Sequence, residues 1–394
     1  MAEHIPFITS SEASNLVVRF YQDSEIVRVP LDRAANLLPS LPQGLRVWLD
    51  PAVDGLDDLS AHRNQTGRGN KWFEFVKKFL NFEKIAEPAF QAKPTAADVY
   101  SFVKAVLNAS ADKKPAWITV PQLPLVKGNG RNRINRALAA AAGKWKTHTA
   151  FKGRLILPLI FTHQEQINRK TERNPKVQQA ERCYRDAQAD GVWVVDKSLT
   201  DESGSRTLRN TRLPAIVCLH QELNERIASK IRIAGPYWGM NLVLWARDLV
   251  DYPAIGIGLG YQYSLPGGSS RPPALHLALS PLRRRTGVGQ LKPWLDKVLS
   301  KLGPSHPAYP GFESLRSNLS LLSAPASARD QVAHSYKEWF DSIAAAPKAG
   351  RSMALFQDLS AAYALGRALP DLDGGEGTAR RPEAVAEPLM LNCL

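Results

Sequence analysis

The chain has 394 residues, 44% of them hydrophobic and 22% charged, with three cysteines and a formal net charge of +14. This length and composition belong to a globular protein of two or three domains, or to one large barrel with an appendage. Three cysteines without a CxxC pair exclude a disulfide scaffold and a zinc ribbon, and the lack of any run of about 18 apolar residues excludes a spanning helix. The first residues have no basic stretch leading into an apolar core, so no signal peptide is expected and the chain reads as cytoplasmic.

Asn15 to Tyr21 and Ser24 to Pro30 read as two short strands, an N-terminal β segment occupying residues 1–40. From there the rhythm changes. Strand-like apolar runs at Leu45–Asp50, Lys84–Pro88, Ala116–Val120, Arg154–Thr162, Gly191–Asp196, Lys230–Ala234, Pro253–Leu259 and Ala274–Leu279 are mostly separated by helical periodicity. The helical stretches include Ala96–Asn108, Arg133–Lys144, Val177–Ala189, Leu213–Ile227 and Met240–Leu249. Near-continuous apolar strands alternating with amphipathic helices indicate a parallel sheet covered on both faces. Eight such units over residues 41–303 predict an α/β fold of the (β/α)8 TIM-like barrel type. An open doubly wound sheet is the alternative, although the first strand–helix turn lacks the Gly-x-Gly-x-x-Gly fingerprint. Pro158 weighs against a central place for its strand. Residues 304–370 read as a helical appendage with helices at Ala326–Ala346 and Ser352–Leu369, and residues 371–394 as a flexible tail.

In such a barrel the segments that follow the strands meet at one rim, where active sites of this architecture sit. Those segments carry Arg63, Arg68 and Lys71, then Lys127, Arg131, Arg133 and Arg136, then Arg169, Lys170, Arg173 and Lys176. Lys197, Arg206, Arg209 and Arg212 follow, and Arg283, Arg284 and Arg285 close the series. Small anions need two or three such groups, whereas a nucleic acid backbone engages many. Arginine predominates, which suits bidentate phosphate contact. A solvated charged face is the plain alternative.

Asp50 and Asp196 each end an apolar strand and would point toward the open end of the barrel. There a carboxylate serves as base or nucleophile, or it simply caps the following loop. His163 and Glu165, two residues apart, form an acid/base pair or belong to an ordinary loop; the second half of a deaminase zinc pattern is missing. Gly235-Pro236-Tyr237-Trp238-Gly239 joins a strand to a helix. Its glycines permit close backbone approach, and Tyr237 and Trp238 either stack on a planar base or plug the barrel top. Tyr261 and Tyr263, after the Ile255–Gly260 glycine alternation, could reach the same pocket. The three cysteines lack partners, no metal set is visible, and no cofactor can be named.

The stretch Gly235–Gly239, the run Pro253-Ala-Ile-Gly-Ile-Gly and the segment Ala278-Leu-Ser-Pro-Leu-Arg-Arg-Arg-Thr-Gly287 together resemble the tRNA-guanine transglycosylase barrels, which exchange a guanine base for a deazapurine. The resemblance covers about an eighth of the chain. It implies base handling; Gly235, Tyr237, Trp238, Arg283 and Arg284 are candidate substrate contacts by their own chemistry. The family's aspartate nucleophile would fall near Leu277, and its Cys/His zinc site has no counterpart here. Three readings follow. The first is a base-modifying or base-exchanging enzyme acting on DNA or RNA, with Asp50, His163, Glu165 and Asp196 as catalytic candidates. Lys127, Arg131, Arg133, Arg169, Lys197, Tyr261 and the residues above would be its substrate contacts. The second is a non-catalytic nucleic-acid-binding subunit of a defence or modification complex, with a protein partner on the C-terminal helices. The third is a barrel enzyme for a small anionic metabolite.

Overall fold

A computed structural model describes residues 3–8, 11–58, 68–86, 93–125, 129–162, 167, 175–196, 199, 212–257, 275–289, 291–372 and 380–394. Eight parallel strands close into a barrel in sequence order: β1 (Ile5–Phe7), β2 (Ile26–Pro30), β3 (Arg46–Asp50), β4 (Trp117–Thr119), β5 (Arg154–Phe161), β6 (Gly191–Asp196), β7 (Ile231–Ala234) and β8 (Tyr252–Gly256). β1 completes the ring by pairing with β2 at Phe7 and Arg28 and with β8 at Ile5 and Ala254. Helices α1 (Ser11–Phe20), α2 (Arg68–Val76), α3 (Ala96–Ala111), α4 (Asn129–Thr149), α5 (Pro175–Asp186), α6 (Leu213–Arg226) and α7 (Met240–Ala246) lie between the strands. The fold is a (β/α)8 barrel.

Its membership differs from the sequence reading at both ends. The N-terminal β segment is part of the ring, because β1 and β2 supply two of its strands. Residues 15–20, expected as a strand, lie in α1, where Ala13, Leu16 and Val17 turn one buried face to the core. The expected strand at Lys84–Pro88 begins inside a helical turn, Phe82–Ile85. The run at the expected eighth strand forms β9 (His276–Leu279), which pairs antiparallel with β10 (Arg284–Gly287) as a separate two-stranded sheet. Pro158 does occupy the middle of a central strand, opposite Trp193.

Alternation along the strands divides two cores. Inward positions include Phe7, Trp48, Trp117, Ile160, Trp193 and Ile233, all buried. Phe7 meets Trp48 edge-on at 5.4 Å and Trp193 at 5.4 Å, and Trp48 meets Trp193 at 5.1 Å. The barrel interior is therefore filled by interlocking rings, each pair adding about 0.5–1.5 kcal/mol beyond burial. Outward positions such as Val27, Val29, Leu155, Leu157, Val192 and Val194 bury against the helices.

Beyond the barrel, α8 (Leu291–Leu302), α9 (Tyr309–Ser317), α10 (Pro325–Ala344) and α11 (Arg351–Ala368) surround β9 and β10. Leu277, Leu279, Trp294 and Phe312 form a second core there. Helix α10 docks on the barrel through Tyr21, whose hydroxyl donates to the Ala333 carbonyl at 2.7 Å. Tyr336 adds a bond to Asn241 Oδ1 at 2.8 Å. The tail expected to be flexible is packed from residue 380 onward. Arg284 Nη1 donates to the Arg381 carbonyl at 2.7 Å, and Val385 and Leu389 are buried within the last short helix region. Ala384, Val385, Ala386 and Leu389 supply a buried face that composition alone concealed. No helix among the described residues is long and apolar enough to cross a membrane.

Candidate active site at the C-terminal rim

Parallel strands place every strand C-terminus at one end, so Phe7, Pro30, Asp50, Thr119, Phe161, Asp196, Ala234 and Gly256 mark the rim. Asp50 shares the inward alternation of Trp48 and is 2% exposed. Its partner is Arg28, inward on β2 after Ile26 and 6% exposed. Arg28 Nε donates to Asp50 Oδ2 at 3.1 Å, and a second guanidinium nitrogen bonds the same oxygen. The Ala52 backbone N–H donates to Asp50 Oδ1 at 2.9 Å. Arg28 also lies over the rings of Phe7 and Trp193, 5.1 and 6.0 Å from their centroids. Beside it, Trp48 Nε1 donates to Thr119 Oγ1 at 2.8 Å. The top of the interior is thus a charged pair standing on an aromatic floor. An arginine at an inward position of an apolar strand was the sequence signal for it, and that signal was missed.

Asp196 does not join this pair. It shares the alternation of Val192 and Val194, which face the helices, and its carboxylate is held by the buried Arg212 at the start of α6. Its backbone N–H donates to the Tyr237 hydroxyl at 2.7 Å. The two strand-end aspartates expected together at the open end therefore lie on opposite faces of the barrel wall.

The segment after β4 is rigidly held. Asn135 Oδ1 accepts from the Leu123 N–H and its Nδ2 donates to the Leu123 carbonyl, both at 2.9 Å. Arg131 Nη1 donates to the Pro124 carbonyl at 2.9 Å, and the same side chain pairs with Asp57. At 7% exposure Arg131 braces the rim rather than facing solvent. Arg133 is exposed on α4, and Lys71 is exposed on α2. Lys176, half-buried at the start of α5, has its pKa lowered by desolvation and, next, by the charge of Arg131.

Gly235 adopts φ +102°, and a Cβ there would stand 2.8 Å from the Ala254 carbonyl oxygen. The close approach the glycine permits is to the neighbouring strand. Its carbonyl accepts from Trp193 Nε1 at 2.7 Å. Tyr237 and Trp238 are 1% and 3% exposed. Trp238 packs on Tyr336 and Trp339 at 5.3 and 6.1 Å and donates from Nε1 to the Arg283 carbonyl. Trp238 joins the barrel to α10, Tyr237 bonds back to the Asp196 backbone, and neither ring is presented at the surface.

The basic run after β9 lies in a hairpin separate from the ring of strands, yet it packs on the segment that leaves β7: the Arg283 carbonyl accepts from Trp238, and the Arg285 guanidinium lies 5.3 Å from the Trp238 ring centroid. Arg283 makes a two-nitrogen contact with Asp358 at 2.9 and 2.6 Å, and Arg284 holds the C-terminal segment. His163, Glu165, Lys127, Arg169, Lys197 and Tyr261 lie outside the described residues, as do Arg63 and Arg173. Among the described residues no group of three or more His, Cys, Asp or Glu side chains could hold a metal. Burial pushes the thiols of Cys183 and Cys393 up to about 12, far from nucleophilic use at neutral pH. No protein-family model matches the chain, and no curated protein matches it.

Proposed function

We propose that the protein binds nucleic acid across the C-terminal rim of the barrel. The supporting observation is that the segments leaving β3, β4, β5 and β6 emerge at one end and together carry a basic excess. Lys71, Arg133 and Lys176 stand at this rim, and Arg63, Lys127, Arg169, Arg173 and Lys197 occupy the segments between. Several loops contributing cations suit an extended phosphodiester chain better than a compact anion.

Within that reading Asp50 is the carboxylate placed for chemistry on a bound base, and base exchange is the activity that the transglycosylase resemblance adds. One observation favours the non-catalytic alternative: both Asp50 oxygens are already engaged, by Arg28 and by the Ala52 N–H. A substrate would have to displace one of them.

The test is binding of labelled single-stranded and duplex DNA and RNA across a salt series. Charge reversal at Lys71, Arg133, Arg169 and Arg173 should weaken binding and flatten the salt dependence. Arg131 is unsuitable for reversal because it is buried in the rim's structure. Absence of binding at low salt would discard the reading in favour of a small-anion site. Asp50→Asn then separates enzyme from binding subunit, since only the enzyme loses turnover at unchanged affinity.

A further inference from the structure

The opposite end of the barrel carries a second basic surface that no catalytic reading uses. The N-terminal ends of β3, β4 and β5 adjoin there: the Ala116 N–H bonds the Val47 carbonyl, and the Arg154 N–H bonds the Ala116 carbonyl, both at 2.9 Å. Arg46 begins β3, Lys113 and Lys114 precede β4, and Lys152 and Arg154 lead into β5. All five are exposed. Neighbouring strands are spaced by about 4.8 Å, so the three strand ends span about 10 Å.

The acidic groups around this end are largely engaged. Glu25 is taken by Arg46 and by the Tyr252 hydroxyl at 2.7 Å. Asp190 is held by Lys146 Nζ at 2.8 Å and the Leu155 N–H at 2.9 Å. Asp112 is the exposed carboxylate beside the two lysines. Lys113, Lys114, Lys152 and Arg154 make no ion pair among the described residues. Lys113, Lys114 and Lys152 each follow a helix C-terminus closely and suit its dipole, whereas Arg154 opens β5 and has no such explanation. Lys114 also adopts φ +51°, a left-handed conformation that favours glycine, with its N–H bonded to the Ala111 carbonyl at 2.8 Å.

We propose that this patch is a contact surface for the phosphodiester backbone of a nucleic acid, separate from the rim. The large exposed apolar side chains among the described residues are Val18, Leu80, Leu321, Met353, Leu391 and Leu394, and none belongs to the patch. A protein interface normally centres on apolar or aromatic anchors, and a membrane-surface site inserts them. A predominantly cationic surface without apolar anchors is what sequence-independent backbone binding needs. The proposal stands independently of the rim reading. If both hold, the barrel is gripped at its two ends.

The experiment compares wild type, a patch variant (Lys113→Gln, Lys114→Gln, Lys152→Gln, Arg154→Gln) and a rim variant (Lys71→Glu, Arg133→Glu) for binding labelled DNA and RNA across a salt series. The patch variant should lose at least about tenfold in affinity at 0.1 M salt, and the slope of log K against log salt should fall by about three. Lys114→Gly is the second arm. It relieves the left-handed residue, so it should melt higher than wild type and still bind more weakly. Unchanged affinity and slope in the patch variant overturn the proposal, as does equal competition by poly-glutamate or by phosphatidylserine vesicles. Loss in the patch variant with none in the rim variant keeps this proposal and removes the rim reading; the converse does the opposite.

Discussion

Replacing Arg28 by methionine leaves Asp50 inside the barrel with one remaining donor, the Ala52 N–H at 2.9 Å. The carboxylate is 2% exposed, so water cannot take the guanidinium's place. Breaking a buried pair by removing one partner costs about 3–5 kcal/mol, or about two to four decades in the unfolding constant. With a urea m-value of about 3 kcal/mol/M for a chain of this size, the midpoint should drop by about 1–1.7 M. The stacking of the guanidinium on Phe7 and Trp193 is lost as well, so the lower end of that range is the floor. Adding Asp50→Asn to Arg28→Met removes the stranded charge but keeps an acceptor for the Ala52 N–H. The double variant should therefore recover a coupling of at least about 2 kcal/mol relative to the sum of the single changes. Urea titrations followed by tryptophan emission read this directly, because Trp48 and Trp193 flank the pair. Single-variant losses that simply add in the double variant, within about 0.5 kcal/mol, would refute the energetic coupling of Arg28 and Asp50.

Burial pushes the pKa of His4 and of His220 down from 6.5 to about 3, with a smaller contribution from Lys337 at His4 and from Arg232 at His220; Asp23 acts oppositely on His4. Because the folded values lie below the unfolded ones, this stability is complete above pH 6.5 and lost as pH falls toward 3. Each ring contributes a slope of about 1.4 kcal/mol per pH unit in that window. His4→Leu with His220→Leu should flatten the stability profile between pH 4 and 6 by about 2.7 kcal/mol per unit, and an unaltered slope would contradict it. Gly143→Ala should destabilise by about 1–3 kcal/mol, since the new Cβ would meet the Asp186 carbonyl oxygen at 2.2 Å. Gly130→Ala in the same helix, with nothing within 4 Å, should be neutral or stabilising by about 0.5–1 kcal/mol in parallel melts. With a thiol reagent, exposed Cys218 should react in the native protein, while buried Cys183 and Cys393 should wait for unfolding.

Strand and helix alternation was legible wherever a run was long and flanked by clear periodicity. β5 and β6 show this best, with apolar runs that end close to where the ladder ends. The ends of the barrel were not legible. β1 has three residues, too few for a period to declare itself. The Leu16-Val17-Val18 stretch carries strand-like residues, yet α1 forms because Ala13, Leu16 and Val17 fall on one helical face. β9 has the composition of a barrel strand, but Ser280–Leu282 and the left-handed Arg283 turn it back onto β10. The site followed the same pattern. Asp50 and Asp196 were both readable as strand ends at the open end of the barrel, while the inward face of one and the outward face of the other required the register that only pairing sets. Rim arginines were readable as charges, whereas the engagement of Arg131, Arg283 and Arg284 came from distant parts of the chain.

Closure of the ring through β1 and β8 has a consequence in time. Ile5 pairs with Ala254, so the first strand made is the last to find its second neighbour. At about 5–20 residues per second of synthesis, the intervening 250 or so residues take roughly 12–50 seconds to appear. Throughout that interval β1 has an open edge and Arg28 and Asp50 have no finished barrel around them. A ribosome paused before β8 would therefore hold an open sheet whose aromatic floor lacks its last wall.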